Sequence, residues 1–464
     1  MGLKRTLSSF DLTNIVVGSI VGSDIYIASA ITAGLIGPLS MVVWIVAGIA
    51  ATLIALVFAY SSYYVPKVGG SFAFVSTAFD DFYGFLAGWS MWIAEMLALP
   101  VFAITFTNYL QSFVQLDALQ NILVKGLFLF GLTFINIIGV KVAGKVNDAL
   151  TLIKLSPLLL IIIAGLVSFA YNPSFISNYS PLDPLGWENF GTALVLVFWA
   201  YAGFELGTLP ASEVNNPKKT IPQSIITGMV IVMFFYLLTN FVVYGSVNWQ
   251  QLSQTSVPLV LVGAALLGAV GIAIMSLGAL ASVSGSDESG ILGTARLSYA
   301  MSIDGLFPKI FSKVHPKYHT PYMALILQGI IAFALSILSS IAGLISFSVF
   351  NLSFSFLLTC LAFVVLKKRK EGKLHGQNIL PWLGLAICIY LLYSTTLFDK
   401  VIGSMLILAG IPLYVFFSPK VDMHHLKRMF LSEEAILARR LERKEKFLAN
   451  LMRIVHRIYN GINE

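Results

Sequence analysis

Six ionisable side chains lie inside long apolar stretches of this 464-residue sequence, and they are the first candidates for chemistry. They are Asp24, Glu95, Lys154, Glu205, Asp287 and Glu288. Even on a lenient scale, an ionised group at the centre of a membrane helix costs about 2.5–3.5 kcal/mol. Each of these groups must therefore be protonated, paired with another, or in contact with water and a cation.

The acids allow several interpretations, which the sequence leaves open. In the first, Asp24 and Asp287 line a binding site and attract a cationic group, either the amine of a solute or a coupling ion. In the second, Asp24 pairs with Lys154, and Glu205 accepts hydrogen bonds from backbone N–H groups where its helix is broken. Glu95 lies at a similar depth but belongs to no motif.

Asp287 belongs to the polar segment 284–290 of the predicted eighth helix, which reads S-G-S-D-E-S-G. Successive residues of a helix point about 100° apart, so Asp287 and its neighbour Glu288 cannot both face one site. A further interpretation is that these two acids hydrogen-bond to serines of the same segment or lie in a cytoplasmic vestibule. The glycine spacing is that of a phosphate loop, but the segment is acidic and lacks the Lys-Ser/Thr ending.

The composition is that of a membrane protein. Of the residues, 57% are hydrophobic and 11% are charged, whereas soluble domains contain about 25% charged residues. A soluble fold of this length lacks the interior to bury so much apolar surface. We therefore expect an all-α polytopic membrane protein of about twelve transmembrane helices, each about 20 residues long. The predicted helices are 11–36, 39–64, 82–114, 121–140, 147–170, 188–211, 221–246, 259–297, 321–340, 343–366, 379–397 and 401–417, and 247–258 is predicted to be an external loop.

Basic residues are distributed unevenly over the predicted loops. Apart from Lys125 and Lys400 in outside loops, and Lys154 within a helix, every Lys and Arg falls on one side of the membrane. The positive-inside rule then predicts cytoplasmic N and C termini in a protein of the cell membrane. Contact with the anionic headgroups of the lipid bilayer, rather than with nucleic acid, explains the net charge of +7. Residues 1–417 form the transmembrane domain, and 418–464 are predicted to be a cytoplasmic basic amphipathic tail.

We expect no cofactor, no metal and no enzyme activity. The two cysteines, Cys360 and Cys388, lie in apolar runs without metal-ligand spacing. All six histidines fall in predicted cytoplasmic segments. The sequence contains no H-E-x-x-H, G-x-S-x-G or Walker A motif. A channel would usually repeat a pore element with filter residues, and no such repeat is found.

Two predicted helices contain residues that do not suit a continuous helix. The first includes Gly18–Asp24, in which two glycines accompany the acid, and the sixth includes Ala200–Gly207, followed by Pro210. Unpaired backbone groups are tolerated at membrane depth only where they line a cavity or are buried in protein. A pair of Gly-interrupted helices, one in each half, indicates a transporter's midplane binding site. Close packing of helices on small residues is the simpler alternative.

At these breaks the sequence resembles the amino acid–polyamine–organocation superfamily, in particular its bacterial and archaeal amino acid permeases. Residues 18–26 (G-S-I-V-G-S-D-I-Y) are similar to the motif G-x-x-[IV]-G-[SA]-G-I-F, and residues 66–71 (P-K-V-G-G-S) to P-x-x-G-G-x-Y. These motifs and those that follow occur in the family's order and spacing, which makes the resemblance specific. The other matching segments are 198–205 (F-W-A-Y-A-G-F-E), 213–222 (E-V-N-N-P-K-K-T-I-P), 296–301 (R-L-S-Y-A-M), 304–308 and 320–321.

The resemblance implies a five-plus-five inverted repeat. Helices one to five would occupy about 11–170, helices six to ten about 188–366, and two extra helices about 379–417. It also implies alternating access around a site between the broken first and sixth helices, with coupling to protons or sodium, or exchange. The implied activity is secondary active transport of amino acids or related amines.

The resemblance also assigns residues by position. Ser19, Gly22 and Ser23 would offer backbone or hydroxyl donors to a substrate carboxylate. Lys154 matches a lysine that takes the place of a sodium ion in proton-coupled and some exchanging relatives, and we assign Lys154 and Glu205 to coupling. The residues implied to face the substrate from the sixth helix are Trp199, Ala200, Tyr201 and Gly203.

One departure from the family pattern concerns Asp24, which stands where the family usually has a third glycine. With Asp287, it adds negative charge to the predicted site, so we expect substrates with a cationic group beyond that of a plain zwitterion. Pairing of Asp24 with Lys154 would cancel half of this effect. The alternatives are a polyamine or organic cation transporter with the same fold, and a nutrient sensor that does not transport.

Overall fold

The computed structural model describes residues 8–67, 69–138, 140–208, 214–369 and 378–417. These ranges are almost entirely helical, which confirms the predicted all-α fold. The predicted tail, 418–464, lies outside the described residues. The first eight helices are α1 Ser9–Ile20, α2 Asp24–Ile36, α3 Ser40–Tyr64, α4 Ser71–Ala78, α5 Asp81–Leu110, α6 Ala118–Ile138, α7 Val140–Tyr171 and α8 Ser174–Ser177.

The second half continues with eight further α-helices and contains two of the three short 3-10 helices. The α-helices are α9 Phe190–Ala200, α10 Pro217–Ser246, α11 Trp249–Ser253, α12 Pro258–Ile303, α13 Tyr322–Leu338, α14 Ile341–Arg369, α15 Leu380–Ser394 and α16 Leu397–Phe417. The 3-10 helices are Gly37–Leu39, Phe204–Thr208 and Lys309–Ser312.

The apolar helices of the described residues are consistent with the predicted number of about twelve membrane spans. Among the described residues, nine helical segments are long and apolar enough to cross a membrane. The first, Ser9–Tyr64, contains spans one and two, because the 3-10 helix Gly37–Leu39 separates α2 from α3. The shorter apolar helices α13 and α15 are spans nine and eleven. Span one is thus α1 with α2, and span six is α9 with the 3-10 helix Phe204–Thr208. Spans two to five are α3, α5, α6 and α7, and spans seven, eight, ten and twelve are α10, α12, α14 and α16.

Polar side chains fix where α1 and α5 begin. Asp11 accepts the backbone N–H of Ser8 at 2.8 Å, and the Ser8 hydroxyl accepts the N–H of Asp11 at 3.3 Å, so the start of α1 is a capping box. Asp80 accepts the N–H groups of Phe82 and Tyr83 at 3.0 and 3.1 Å, which caps α5. These bonds satisfy N–H groups that have no partner inside their own helix.

The structure departs from the predicted boundaries in three places. The segment between spans two and three contains the helix α4, which the apolar pattern did not predict. The predicted loop 247–258 contains the short helix α11. Span eight begins at Pro258 but extends to Ile303, and it is kinked at Gly268, whose φ of 61° lies outside the helical range.

The packing of the first ten spans follows an approximate two-fold repeat in which each span corresponds to the one five places later. Span two packs against span six, and span seven packs against span one. Span three packs against span ten, and span eight packs against span five. A two-fold axis also exchanges the two members of the pairs two–seven, three–eight and four–nine. The spans of each of these pairs are in contact. This pattern is that of the predicted five-plus-five repeat.

The two interrupted spans lie side by side in opposite directions. The first half of span one, α1, packs against the 3-10 helix of span six, whereas its second half, α2, packs against α9. This antiparallel arrangement brings the two breaks to the same depth, as expected for an inverted repeat. Spans three and eight pack against each other beside them.

Candidate functional site

The break in span one lies between Ile20, where α1 ends, and Asp24, where α2 begins. Gly22 lies in this break in contact with spans three and eight. A Cβ atom added to Gly22 would lie 3.0 Å from the ring of Phe102 and 3.0 Å from Cβ of Ser286. Glycine therefore lets span one approach both neighbours at this depth.

The break in span six is centred on Gly203, whose φ of 114° is rarely adopted by residues with a side chain. A Cβ atom added to Gly203 would lie 2.9 Å from the backbone oxygen of Ser19. The Ser19 hydroxyl donates to the carbonyl oxygen of Gly203 at 3.0 Å. The two breaks are therefore in direct contact through their backbones.

Side chains from other spans form hydrogen bonds with the backbone carbonyl groups that are left unpaired at the break in span one. The Lys154 ammonium of span five donates to Gly18 O at 2.5 Å and lies 3.3 Å from the hydroxyl of Ser286 in span eight. The Ser286 hydroxyl in turn lies 2.8 Å from Val21 O and 3.1 Å from Gly18 O. Unpaired carbonyl groups at this depth would be costly, so Lys154 and Ser286 stabilise the unwound backbone.

Two further side chains complete this shell around the first break. The Tyr236 hydroxyl of span seven donates to Ile20 O at 3.0 Å. The Ser282 hydroxyl, one turn before Ser286 in span eight, lies 3.3 Å from Val21 O. Spans five, seven and eight thus all bind the unwound segment, and a displacement of span one would break these contacts together.

Lys154 is fully buried. The acids Asp24 and Glu288 are near enough to influence it electrostatically, but it forms a salt bridge with neither. The direct pairing of Asp24 with Lys154, one of the two structural interpretations of the sequence, is therefore not what the structure shows. A carbonyl oxygen and a hydroxyl hold the ammonium group instead.

A cavity of about 440 Å³ of atom-free space, including its mouth, lies between spans one, three, six, eight and ten. Its lining combines acids, small residues and aromatic rings. The lining residues are Ser19, Asp24, Ala94, Glu95, Ala98, Phe102, Trp199, Ala202, Gly203, Glu205, Leu206, Ser286, Gly290, Ser348 and Leu352.

Three of the lining residues are acids, and they come from three different spans. Asp24, only 4% exposed, starts α2, and its carboxylate faces the backbone N–H groups of Gly22 and of Asp24 itself. Glu205 is fully buried, and its Oε2 accepts the N–H of Gly203 at 3.0 Å, as the structural interpretation of this residue expects. Glu95 of span three is partly accessible and interacts with Glu205.

The structure brings five of the predicted site residues to this cavity: Ser19, Asp24, Trp199, Gly203 and Glu205. Gly22 lies behind the lining at the break in span one. Lys154 also lies behind the lining, where it binds Gly18 O. Ser23 is fully buried, and its hydroxyl has no partner among the described residues.

Three predicted residues lie away from the cavity lining. Ala200 is fully buried, and Tyr201 packs into the core, where its hydroxyl donates to Trp44 O at 3.2 Å. Asp287 is also fully buried, and neither carboxylate oxygen has a hydrogen-bond partner among the described residues. Its neighbour Ser286 lines the cavity instead, because one residue along a helix turns the side chain by about 100°.

Ten of the fifteen lining residues were not assigned to the site from the sequence, and Glu95, Phe102 and Ser286 are among them. Glu95, Ala98 and Phe102 are spaced by three and four residues and therefore share one face of span three. That face could have been recognised by the coincidence of an acid with small and aromatic residues. For Ser286 the sequence offered no comparable signal, since three serines and two acids compete within 284–290.

The contact between the two breaks predicts the effect of a single methyl group. We expect Gly203→Ala to destabilise the protein by about 1–3 kcal/mol through backbone strain, and further because the new Cβ meets a backbone oxygen that cannot move aside. The matched control is Gly186→Ala, which has a φ of 69° but no atom within 4 Å of the added Cβ. Thermal unfolding of the purified variants measures the difference. Equal losses in both variants would contradict the close approach of Gly203 to Ser19.

Comparisons with known proteins agree with this architecture. A family described as amino acid permease matches residues 7–417. The chain is 29% identical to the branched-chain amino acid permease BcaP of Bacillus subtilis (strain 168), over 90% of this chain and 94% of that protein. It is 27% identical to the methylthioribose transporter of the same organism, over 84% and 88% of the two chains. The serine/threonine exchanger SteT of that organism is 26% identical, over 89% and 97%. The chain therefore belongs to the amino acid permease family of the amino acid–polyamine–organocation superfamily, and it is a multi-pass membrane transporter rather than an enzyme.

Proposed function

We propose that the protein is a secondary active transporter that moves amino acids or related amines across the cell membrane by alternating access. The observation that supports this most directly is the acid-lined cavity between two broken, antiparallel spans. Broken helices place backbone donors, backbone acceptors and a cavity at the same depth, which is the arrangement of a midplane transport site. The relatives named for amino acid transport support the substrate class.

The breaks also supply the moving parts. Each interrupted span consists of two halves joined by a short unwound segment, so each half can tilt while its partner stays in place. In this mechanism α1 and the 3-10 helix of span six open one side of the cavity. The helices α2 and α9 open the other side.

We propose that Lys154 couples transport to protons. As a cation, Lys154 binds Gly18 O and the Ser286 hydroxyl, which ties spans one, five and eight together. A neutral amine would hold the carbonyl group less strongly, because hydrogen bonds to charged groups are about twice as strong as neutral ones. Deprotonation would therefore loosen α1. The charged groups that interact with Lys154 are Asp24 on α2 and Glu288 on α12. In the relatives that the sequence resembles, a lysine at this position takes the place of a sodium ion, which favours a proton as the coupling ion.

The termini are proposed to be cytoplasmic, as the distribution of basic residues indicates. Because Cys360 and Cys388 are buried, a single introduced cysteine reports its own side of the membrane. We expect an impermeant maleimide to label Asp117→Cys in intact cells and Lys313→Cys only after permeabilisation. Labelling of the cysteine at 313 in intact cells would reverse the assigned orientation.

Transport in proteoliposomes tests the role of Lys154. With an imposed pH gradient, acid outside, we expect Lys154→Ala to reduce the initial rate of solute uptake at least tenfold. Without the lysine, the gradient can no longer strengthen or weaken a hydrogen bond between spans five and one. The solute panel comprises neutral, acidic and basic amino acids and their decarboxylated amines. The control is Lys400→Ala, whose side chain lies over the ring of Tyr393 at the end of a span, away from the cavity. We expect this variant to retain uptake.

The same experiment distinguishes the alternatives. Unchanged pH-driven uptake in Lys154→Ala would remove Lys154 from coupling. Uptake that requires solute inside the proteoliposomes and does not respond to the pH gradient would indicate exchange. Binding without uptake of any solute would contradict transport and favour a sensor.

A further inference from the structure

Asp24 occupies the place where the cavity would otherwise hold an anion. The unwound segment ends at the first turn of α2, and the N-terminal end of a helix attracts negative charge through its free N–H groups and its dipole. In this protein the first residue of α2 is itself an acid, and its carboxylate faces the N–H groups of Gly22 and Asp24. Ser23, the residue before α2, makes no side-chain capping bond. The carboxylate of Asp24 therefore takes the place of a bound anion at the N-terminal end of α2.

The other ionisable side chains of the cavity wall are also acids. Besides Asp24, the lining contains Glu95 and Glu205, and it contains no Lys, Arg or His. The Oε1 atom of Glu205 is buried and has no hydrogen-bond partner among the described residues. Because Glu205 lines the cavity while its Oε2 is bound by Gly203, Oε1 is an acceptor left for a donor in the cavity.

The aromatic and backbone parts of the wall also suit a cation. The rings of Phe102 and Trp199 both line the cavity, with centroids 6.0 Å apart. Aromatic faces attract ammonium groups within about 6 Å. The helix α9 ends at Ala200, next to the lining residues Ala202 and Gly203, so its negative C-terminal end is directed toward the cavity.

From these contacts we infer that Asp24 determines specificity by excluding carboxylates, and that the solute is an organic amine with no carboxylate of its own. Asp24 takes the N–H groups that would bind a solute carboxylate, and its charge repels one. The ammonium group of the solute lies among Asp24, Glu95 and the free oxygen of Glu205. This inference rests on the proposed transport function and specifies the substrate class of the same cavity.

Two solutes that differ only by the carboxylate group test the inference. Lysine and 1,5-diaminopentane have the same chain and the same two amines. In proteoliposomes containing the intact protein, we expect 1,5-diaminopentane to be taken up and to compete at least tenfold more strongly than lysine. Lysine methyl ester, which lacks the free carboxylate, should compete like the diamine. These measurements need no variant, so they do not depend on how a mutation affects folding.

Substitutions at Asp24 then separate its two effects. In Asp24→Gly the N–H groups of Gly22 and of residue 24 become free and the charge is lost, so we expect uptake of lysine to rise and uptake of the diamine to fall, each at least tenfold. In Asp24→Asn the amide still faces these N–H groups but carries no charge, so uptake of the diamine should fall without a gain for lysine. Monodispersity and thermal unfolding of each variant confirm that it is folded.

The outcomes distinguish the inference from the function on which it rests. Wild-type uptake of lysine or a neutral amino acid, with no competition by the diamine or the ester, would overturn the inference and leave transport intact. Equal competition by lysine and the diamine would overturn it as well. Failure to transport any solute under any gradient would overturn the proposed function and the inference with it.

Discussion

The structure depends on how the hydrogen-bonding groups of one unwound stretch of backbone find partners inside the membrane. Between Ile20 and Asp24, span one is not helical, so its backbone N–H and C=O groups lack hydrogen-bond partners within a helix. Each unpaired group at this depth would cost several kcal/mol. The side chains of Lys154, Ser286 and Tyr236 bind these carbonyl groups, and a hydrogen bond to a charged donor such as Lys154 contributes about 1.5–3 kcal/mol. The break is therefore stable only while spans five, seven and eight remain in place around it.

This constraint links the fold to the function of the cavity. The groups that hold the break open are the same groups that connect span one to the rest of the bundle, so a change in one of them acts on the position of α1. On the other side of the break, the carboxyl group of Asp24 faces backbone N–H groups at the N-terminal end of α2. The acids Glu95 and Glu205 face the same space. The cavity thus combines a wall that suits cations with a lysine that lies behind it and outside its lining.

Much of the architecture could be predicted from the sequence because lipid imposes simple rules. Apolar length determines the number of spans, and the glycines around Gly22 and Gly203 correctly marked the two breaks. The helix α4 was missed, because it crosses no membrane and its residues resemble a continuation of the neighbouring spans. The kink at Gly268 was also missed, because one glycine in an apolar run has no distinctive pattern.

The candidate site was less predictable, since side-chain direction decides which residues reach the cavity. Ser286 and Asp287 are neighbours in sequence, yet only Ser286 lines the cavity. Tyr201 belongs to a family motif, but its ring packs against Trp44, away from the cavity. For Lys154 the resemblance indicated the position, whereas its contact with Gly18 O rather than with Asp24 is a matter of three-dimensional distance. Such distinctions depend on helix rotation, which hydropathy alone does not report.

The most direct test of the account is whether a transported solute occupies the cavity between the two breaks. Ala98 lines this cavity, is 7% exposed and carries a side chain close in size to cysteine. In a background without Cys360 and Cys388, the rate at which a small thiol reagent labels Ala98→Cys would be measured with and without saturating solute. If the cavity is the transport site, solute slows labelling at position 98 and leaves labelling of Gln254→Cys, in an exposed loop, unchanged. Unchanged labelling at both positions, in a protein that transports the solute, would place the transport site elsewhere.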